Sequence, residues 1–111
     1  SLSANAVEKK TNFSEKVFTD AINSGKTVVV NSYEVWCGTC GQQTKILHQA
    51  EKEFKDIVFL SYEQSKNKDV AQLLRIKFWT TIVVYKGNNE VARVVGQTDK
   101  KIIYAAIIKG I

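Results

Sequence analysis

The run Thr27-Val28-Val29-Val30-Asn31-Ser32-Tyr33 is followed, after three residues, by Cys37-Gly38-Thr39-Cys40. From there to Phe54 the apolar residues recur at helical spacing, with Ile46, Leu47, Ala50 and Phe54 facing inward. A short, continuous β-branched run suits a strand covered on both faces. The chain must therefore supply helices to both sides of a sheet. It does so in order. Asn12 opens a first helix, with Glu15 in capping-box spacing and Phe13, Val17, Phe18, Ala21 and Ile22 inward, and Gly25 stops it. A second buried strand runs over residues 57–62, and Val70, Ala71, Leu73 and Leu74 mark a short helix. Strands over 81–85 and 90–95 are joined by Gly87-Asn88-Asn89 as a hairpin, and Asp99 caps a last helix carrying Ile102, Ile103, Ala106 and Ile107. This alternation predicts an α/β fold, a mixed sheet of four to five strands with helices on both faces. The first two strands should be parallel and the closing hairpin antiparallel. Residues 1–11 are polar and aperiodic, a tail or marginal edge strand, and 12–111 form one domain.

Composition narrows the function. With 111 residues there is room for one core. No apolar run approaches the roughly 18 residues of a spanning helix, so no membrane insertion is expected. Two cysteines are too few for a disulfide-stapled scaffold, and with one histidine they do not complete a four-ligand zinc site. The 16 Lys and Arg against 11 Asp and Glu are mixed along the chain, which reads as a solvated surface, not a nucleic-acid footprint. Ala4-Asn5-Ala6 has the small-residue spacing that ends a signal peptide, so a periplasmic or exported location is the expectation and a cytoplasmic one the alternative.

The chemistry lies in Cys37-Gly38-Thr39-Cys40. At a helix start, unpaired backbone N–H groups and the helix dipole favour an anion, so the first thiol should ionise below the ordinary value of about 8.5. The thiolate attacks disulfides, and a second thiol one turn along can resolve the mixed disulfide. A pair of buried structural cysteines, half of a zinc knuckle and a cluster shared between chains are the competing readings.

Trp36-Cys37-Gly38-Thr39-Cys40 closely resembles the Trp-Cys-Gly-Pro-Cys motif of the thioredoxin superfamily. Val28 to Tyr33 looks like the family's central strand, and Tyr85-Lys86-Gly87 with Val94-Val95-Gly96 like its closing hairpin. The resemblance implies a thiol-disulfide oxidoreductase that needs no cofactor beyond a Cys37–Cys40 disulfide. It implies Cys37 as exposed nucleophile and Cys40 as resolving thiol, Trp36 beside the disulfide, and Gly96 leaving space for a substrate chain. Gly38, Thr39, Trp79, Thr80 and Thr81 complete the substrate surface, with plain packing the alternative for Trp79. Implied partners are protein disulfides and an upstream thiol reductant or reductase, with a monomer expected.

Three residues depart from the family pattern. Thr39 replaces the motif's proline; its hydroxyl should approach the sulfurs, and the potential should be less reducing than thioredoxin's, about −270 mV. Asn31 stands where the family carries a buried aspartate, and cannot titrate. Glu34 is a substitute base, or a solvent-exposed loop residue. Thr80 takes the place of the family's cis-proline. A cis Trp79–Thr80 bond is expected, despite a cost of about 2.5–4 kcal/mol, with the Thr80 hydroxyl reaching a cysteine sulfur. Arg75 and Lys77 flank this loop, as solvated residues or as cations favouring the thiolate. His48 reads as a surface residue. The rival function is a peptide-binding chaperone or assembly module, with weak redox or metal use of the cysteines.

Overall fold

A computed structural model describes residues 11–111. The tail assigned to residues 1–11, with Ala4-Asn5-Ala6, lies outside the described residues except for Thr11. The elements are α1 (Glu15–Asn23), β1 (Thr27–Tyr33), α2 (Gly38–Glu53), β2 (Ile57–Glu63), a 3₁₀ turn (Gln64–Lys66), α3 (Lys68–Leu74), β3 (Thr81–Lys86), β4 (Asn89–Val95) and α4 (Lys100–Ile108). Among the described residues the sheet has four strands in the order β2-β1-β3-β4. Strand β1 runs parallel to β2, in register from Thr27 opposite Ile57 to Tyr33 opposite Glu63. It runs antiparallel to β3, with Asn31 opposite Ile82. The hairpin β3–β4 closes one edge, and its turn residue Gly87 sits at φ 57, where glycine carries no Cβ penalty.

Alternation along β1 divides the core in two. Val28 and Val30 pack with Phe18, Ala21, Leu60, Tyr62, Ala71, Leu74 and Val83 on the face covered by α1 and α3. Val29 packs with Leu47, Ala50, Ile82, Val84, Ile103 and Ile107 under α2 and α4. Helices on both faces explain why β1 reads as an unbroken apolar run.

Helix α1 starts later than its sequence pattern implies. Its cap is Ser14, whose Oγ accepts from the Val17 N–H at 3.0 Å. Asn12 is drawn to β2 instead: its Oδ1 accepts from the Ser61 N–H at 2.7 Å, and its own N–H donates to the Ser61 carbonyl at 3.0 Å. Two sheet bonds outweigh one cap bond. Val17 is exposed on α1, and Phe18 and Ala21 form its buried face. Asp99 does cap α4, accepting from the Lys101 N–H at 2.8 Å. Among the described residues no helix is long and apolar enough to cross a membrane.

Helix α3 ends on Arg75 in the left-handed region, φ 56, without glycine. Arg93 of β4 holds this end: its guanidinium donates to the carbonyls of Leu74 at 2.9 Å and Arg75 at 3.0 Å, and to both oxygens of Glu90. Hydrogen bonding by Arg93 keeps the Glu90 carboxyl below the ordinary carboxylate range. Arg93→Ala is expected to destabilise the fold by about 1–3 kcal/mol in urea titration, from the lost charged hydrogen bonds. Glu90's share should be present at neutral pH and vanish as pH falls through its lowered pKa, because its folded pKa lies below its unfolded one. The destabilisation caused by Glu90→Gln should therefore shrink on acidification; a penalty as large at pH 3 as at pH 7 would count against this account.

Candidate active site

The parallel crossover brings the chain out of β1 at Tyr33 and turns it back into α2 at Gly38. Cys37 falls on the cap position between them, φ −92 and ψ 111. Its sulfur accepts from the Cys40 N–H at 3.1 Å, taking the place that Ser, Thr or Asp oxygens occupy in other helices. Cys37 and Cys40 are joined as a disulfide with their Cα atoms 5.2 Å apart. The first turn of α2 contains no acidic residue that would oppose a thiolate.

Both cysteines are covered. Cys37 is 6% exposed and Cys40 1%, so the first is the more accessible but not the open residue the resemblance implied. Tyr33 packs against both, and its hydroxyl is within 3.2 Å of Thr11 Oγ1. Gly38 is exposed, with open space where a Cβ would stand. The indoles of Trp36 and Trp79 meet edge-to-face, with centroids 5.2 Å apart. Trp36 is 67% exposed, Trp79 40% and Phe78 61%. The pair therefore forms a projecting aromatic wall, not core packing.

The expected cis peptide is not there. No cis bond occurs among the described residues, and Thr80 instead adopts φ 70 behind a trans bond. Three hydrogen bonds hold it. Its N–H donates to the Ser32 carbonyl at 3.0 Å, a bond that proline would forfeit, and its carbonyl accepts from the Gly96 N–H at 3.0 Å and from Gln43 Nε2 at 3.0 Å. The threonine hydroxyls do not serve the sulfurs. Thr80 Oγ1 donates to the carbonyl of Trp79, and Thr39 makes no hydrogen bond to either sulfur. Thr81, 2% exposed, donates to the Phe78 carbonyl at 2.6 Å, and Ser32 Oγ donates to the same oxygen at 2.9 Å.

Glu34 is not solvent-exposed. It is 3% exposed, and its two carboxylate oxygens accept from the Ser65 N–H at 2.6 Å and the Ser65 Oγ at 2.9 Å. It ties the active-site loop to the 3₁₀ turn, so neither oxygen is left without a donor. Asn31 is buried in the middle of β1, opposite Ser61 and Ile82. Gly96, at φ 72, stands beside Thr80 with open space at its Cβ position. Arg75 is exposed, and its charge adds the smallest contribution to the lowering of the Glu90 pKa, which hydrogen bonding by Arg93 leads. His48 is exposed on α2.

Sequence reading missed Gln43. It is fully buried, and its Nε2 donates both to the Thr80 carbonyl at 3.0 Å and to the Gln97 carbonyl at 2.9 Å. The available signal was a polar residue on the inward stripe of α2 that runs through Cys40, Leu47 and Ala50. Among the described residues no group of three His, Cys, Asp or Glu side chains is placed to hold a metal.

The family model described as Thioredoxin matches residues 6–109. Thioredoxin-2 of Saccharomyces cerevisiae is 34% identical over 80 residues, covering 71% of this chain and 77% of the yeast protein. Thioredoxin of Chlamydia pneumoniae is 32% identical over 96 residues, covering 86% of this chain and 93% of its own. Among solved structures, Trxlp from Edwardsiella tarda EIB202 superposes with a TM-score of 0.83 at 25% identity, covering 89% of this chain and 98% of that one. The chain belongs to the thioredoxin family, and is a thiol-disulfide oxidoreductase whose redox group is a disulfide of its own side chains.

Proposed function

We propose that the chain reduces disulfides in extended polypeptide substrates, with Cys37 as nucleophile and Cys40 as resolving thiol. The observation that carries the assignment is the Cys37 sulfur at the cap of α2, accepting a backbone N–H while Cys40 lies one turn in and deeper. In the reduced protein the same N–H group and the helix dipole stabilise a Cys37 thiolate. The thiolate attacks one sulfur of a substrate disulfide. That S–S bond breaks, the substrate's other sulfur leaves as a thiolate, and a mixed disulfide remains on Cys37. Cys40, deprotonated, then attacks Cys37 Sγ, which expels the second substrate sulfur and regenerates the Cys37–Cys40 bond. Two electrons pass from the protein to the substrate, and two protons complete its thiols. A thiol reductant or reductase must supply two electrons for the next cycle. With threonine in the motif, we place the potential above about −270 mV but below the strongly oxidising limit near −120 mV.

The substrate surface in this reading is the aromatic wall of Trp36, Phe78 and Trp79 beside Cys37, with Gly38, Thr39, Thr80 and Thr81 around it. Gly96, hydrogen-bonded to Thr80, leaves open space at its Cβ position. Aromatic rings expose large apolar area at low conformational cost, which suits an apolar residue flanking the substrate cysteine. Glu34 and Asn31 act behind this surface, Glu34 by holding the loop through Ser65.

In an insulin-reduction assay with dithiothreitol, Cys37→Ser should fall to the uncatalysed background. Cys40→Ser should instead accumulate a mixed disulfide with substrate, visible on non-reducing gels. Wild-type activity that survives loss of both cysteines would favour the peptide-binding reading.

The trans Thr80 loop makes a second prediction. A β-branched residue at positive φ costs about 1–2 kcal/mol. Thr80→Gly should therefore stabilise the protein by up to about 1 kcal/mol, net of glycine's greater chain entropy. Thr80→Pro removes the N–H bound to Ser32 and demands φ near −65°, so it should destabilise by at least about 1 kcal/mol. Urea titrations that ranked proline above glycine would overturn this description of the loop.

A further inference from the structure

We propose that Gln43 is a positioning residue that keeps the substrate-facing loops in register with the redox pair. The proposal rests on the reading that the loops around Thr80 and Gly96 receive substrate. Gln43 sits three residues beyond Cys40 on the same helix and is fully buried. One nitrogen of its primary amide donates to the carbonyls of Thr80 and Gln97, which belong to the two loops on either side of the β3–β4 hairpin. The nitrogen must face them, since the amide oxygen in that place would meet two acceptors.

Among the described residues, the backbones of Thr80 and Gly96 are otherwise hydrogen-bonded to the end of β1 and to each other, and Trp79 meets the indole of Trp36. Thr80 bonds Ser32 at the end of β1, and Gly96 bonds Thr80. Among the described residues, the hydrogen bonds that join these loops to α2, which carries Cys40, are those of Gln43. Threonine at φ 70 has no ring to fix its backbone, and the amide supplies a constraint from outside.

Burying glutamine here has a cost, because its Oε1 has no hydrogen-bond partner among the described residues. Leu47 and Ala50, further along the same stripe, are apolar and carry no such penalty. A polar choice that leaves an acceptor unsatisfied is explained by the two carbonyls it holds.

Gln43→Met keeps the volume and removes both donors. For the reduced protein acting on insulin, the KM should rise about tenfold, the loss of one to two hydrogen bonds' worth of loop positioning, with kcat within about twofold. The rate of Cys37 with the small disulfide 5,5′-dithiobis(2-nitrobenzoate), which needs no loops, and the potential against glutathione should stay at wild-type values. An unchanged KM in an active, folded variant overturns the proposal; a wild-type protein inactive on insulin overturns the underlying reading instead. Wild-type NMR provides a test that survives a variant that does not fold. The Gln43 side-chain amide protons should exchange with deuterium far more slowly than those of exposed Gln42, and equal rates would refute the bridge.

Discussion

Strand β1 is hydrogen-bonded along both edges, parallel to β2 and antiparallel to β3, and everything chemical in this protein depends on that double pairing. Its side chains alternate between two cores, Val28 and Val30 on one face and Val29 on the other. A slip of one residue would exchange the two sets and carry Asn31 out of its place. The strand therefore has one register, and its end at Tyr33 is a fixed point from which three residues lead to Cys37. Because α2 begins at Gly38, the sulfur arrives where unpaired amides need an acceptor. The cap bond and the disulfide then lock the same turn from two directions.

Around this point the site is assembled from buried polar groups, each held by a partner from a different element. Glu34 takes two hydrogen bonds from Ser65, Ser32 gives one to Phe78 and accepts one from Thr80, and Gln43 reaches two loops at once. Polar groups withdrawn from water are costly unless paired, so such a network specifies one arrangement more sharply than apolar packing does. The strain is concentrated on Thr80, and the hydrogen bonds that surround it are what keep a β-branched residue at positive φ.

The family pattern places a cis-proline where this chain has Thr80, and the departure changes the wiring without changing the plan. The threonine N–H, which proline lacks, is used to reach β1. Its hydroxyl turns back to the carbonyl of Trp79. The exposed surface next to the motif is aromatic, with Trp36 and Trp79 edge-to-face and Phe78 also exposed, while both cysteines are buried.

Local pattern made the scaffold legible: the order of elements, the parallel and antiparallel pairings, the cap at Asp99 and the cysteine pair at a helix start all follow from periodicity and spacing. Element types and caps are decided by residues within a few positions of one another, and the direction of each strand pairing by the connection between the strands. The competition between Asn12 and Ser14 for the cap, the burial of Glu34, the trans geometry of Thr80 and the bridge from Gln43 were not legible. Each is settled by a partner distant in the chain, Ser61, Ser65, Ser32 and the paired carbonyls of Thr80 and Gln97. Sequence alone determined that a reactive sulfur would stand at the head of a helix fed by a buried strand, because propensity and hydrophobic periodicity are short-range. Only the tertiary structure decided what surrounds that sulfur, because a hydrogen bond to a buried polar group is chosen by whichever segment folding brings within 3 Å of it.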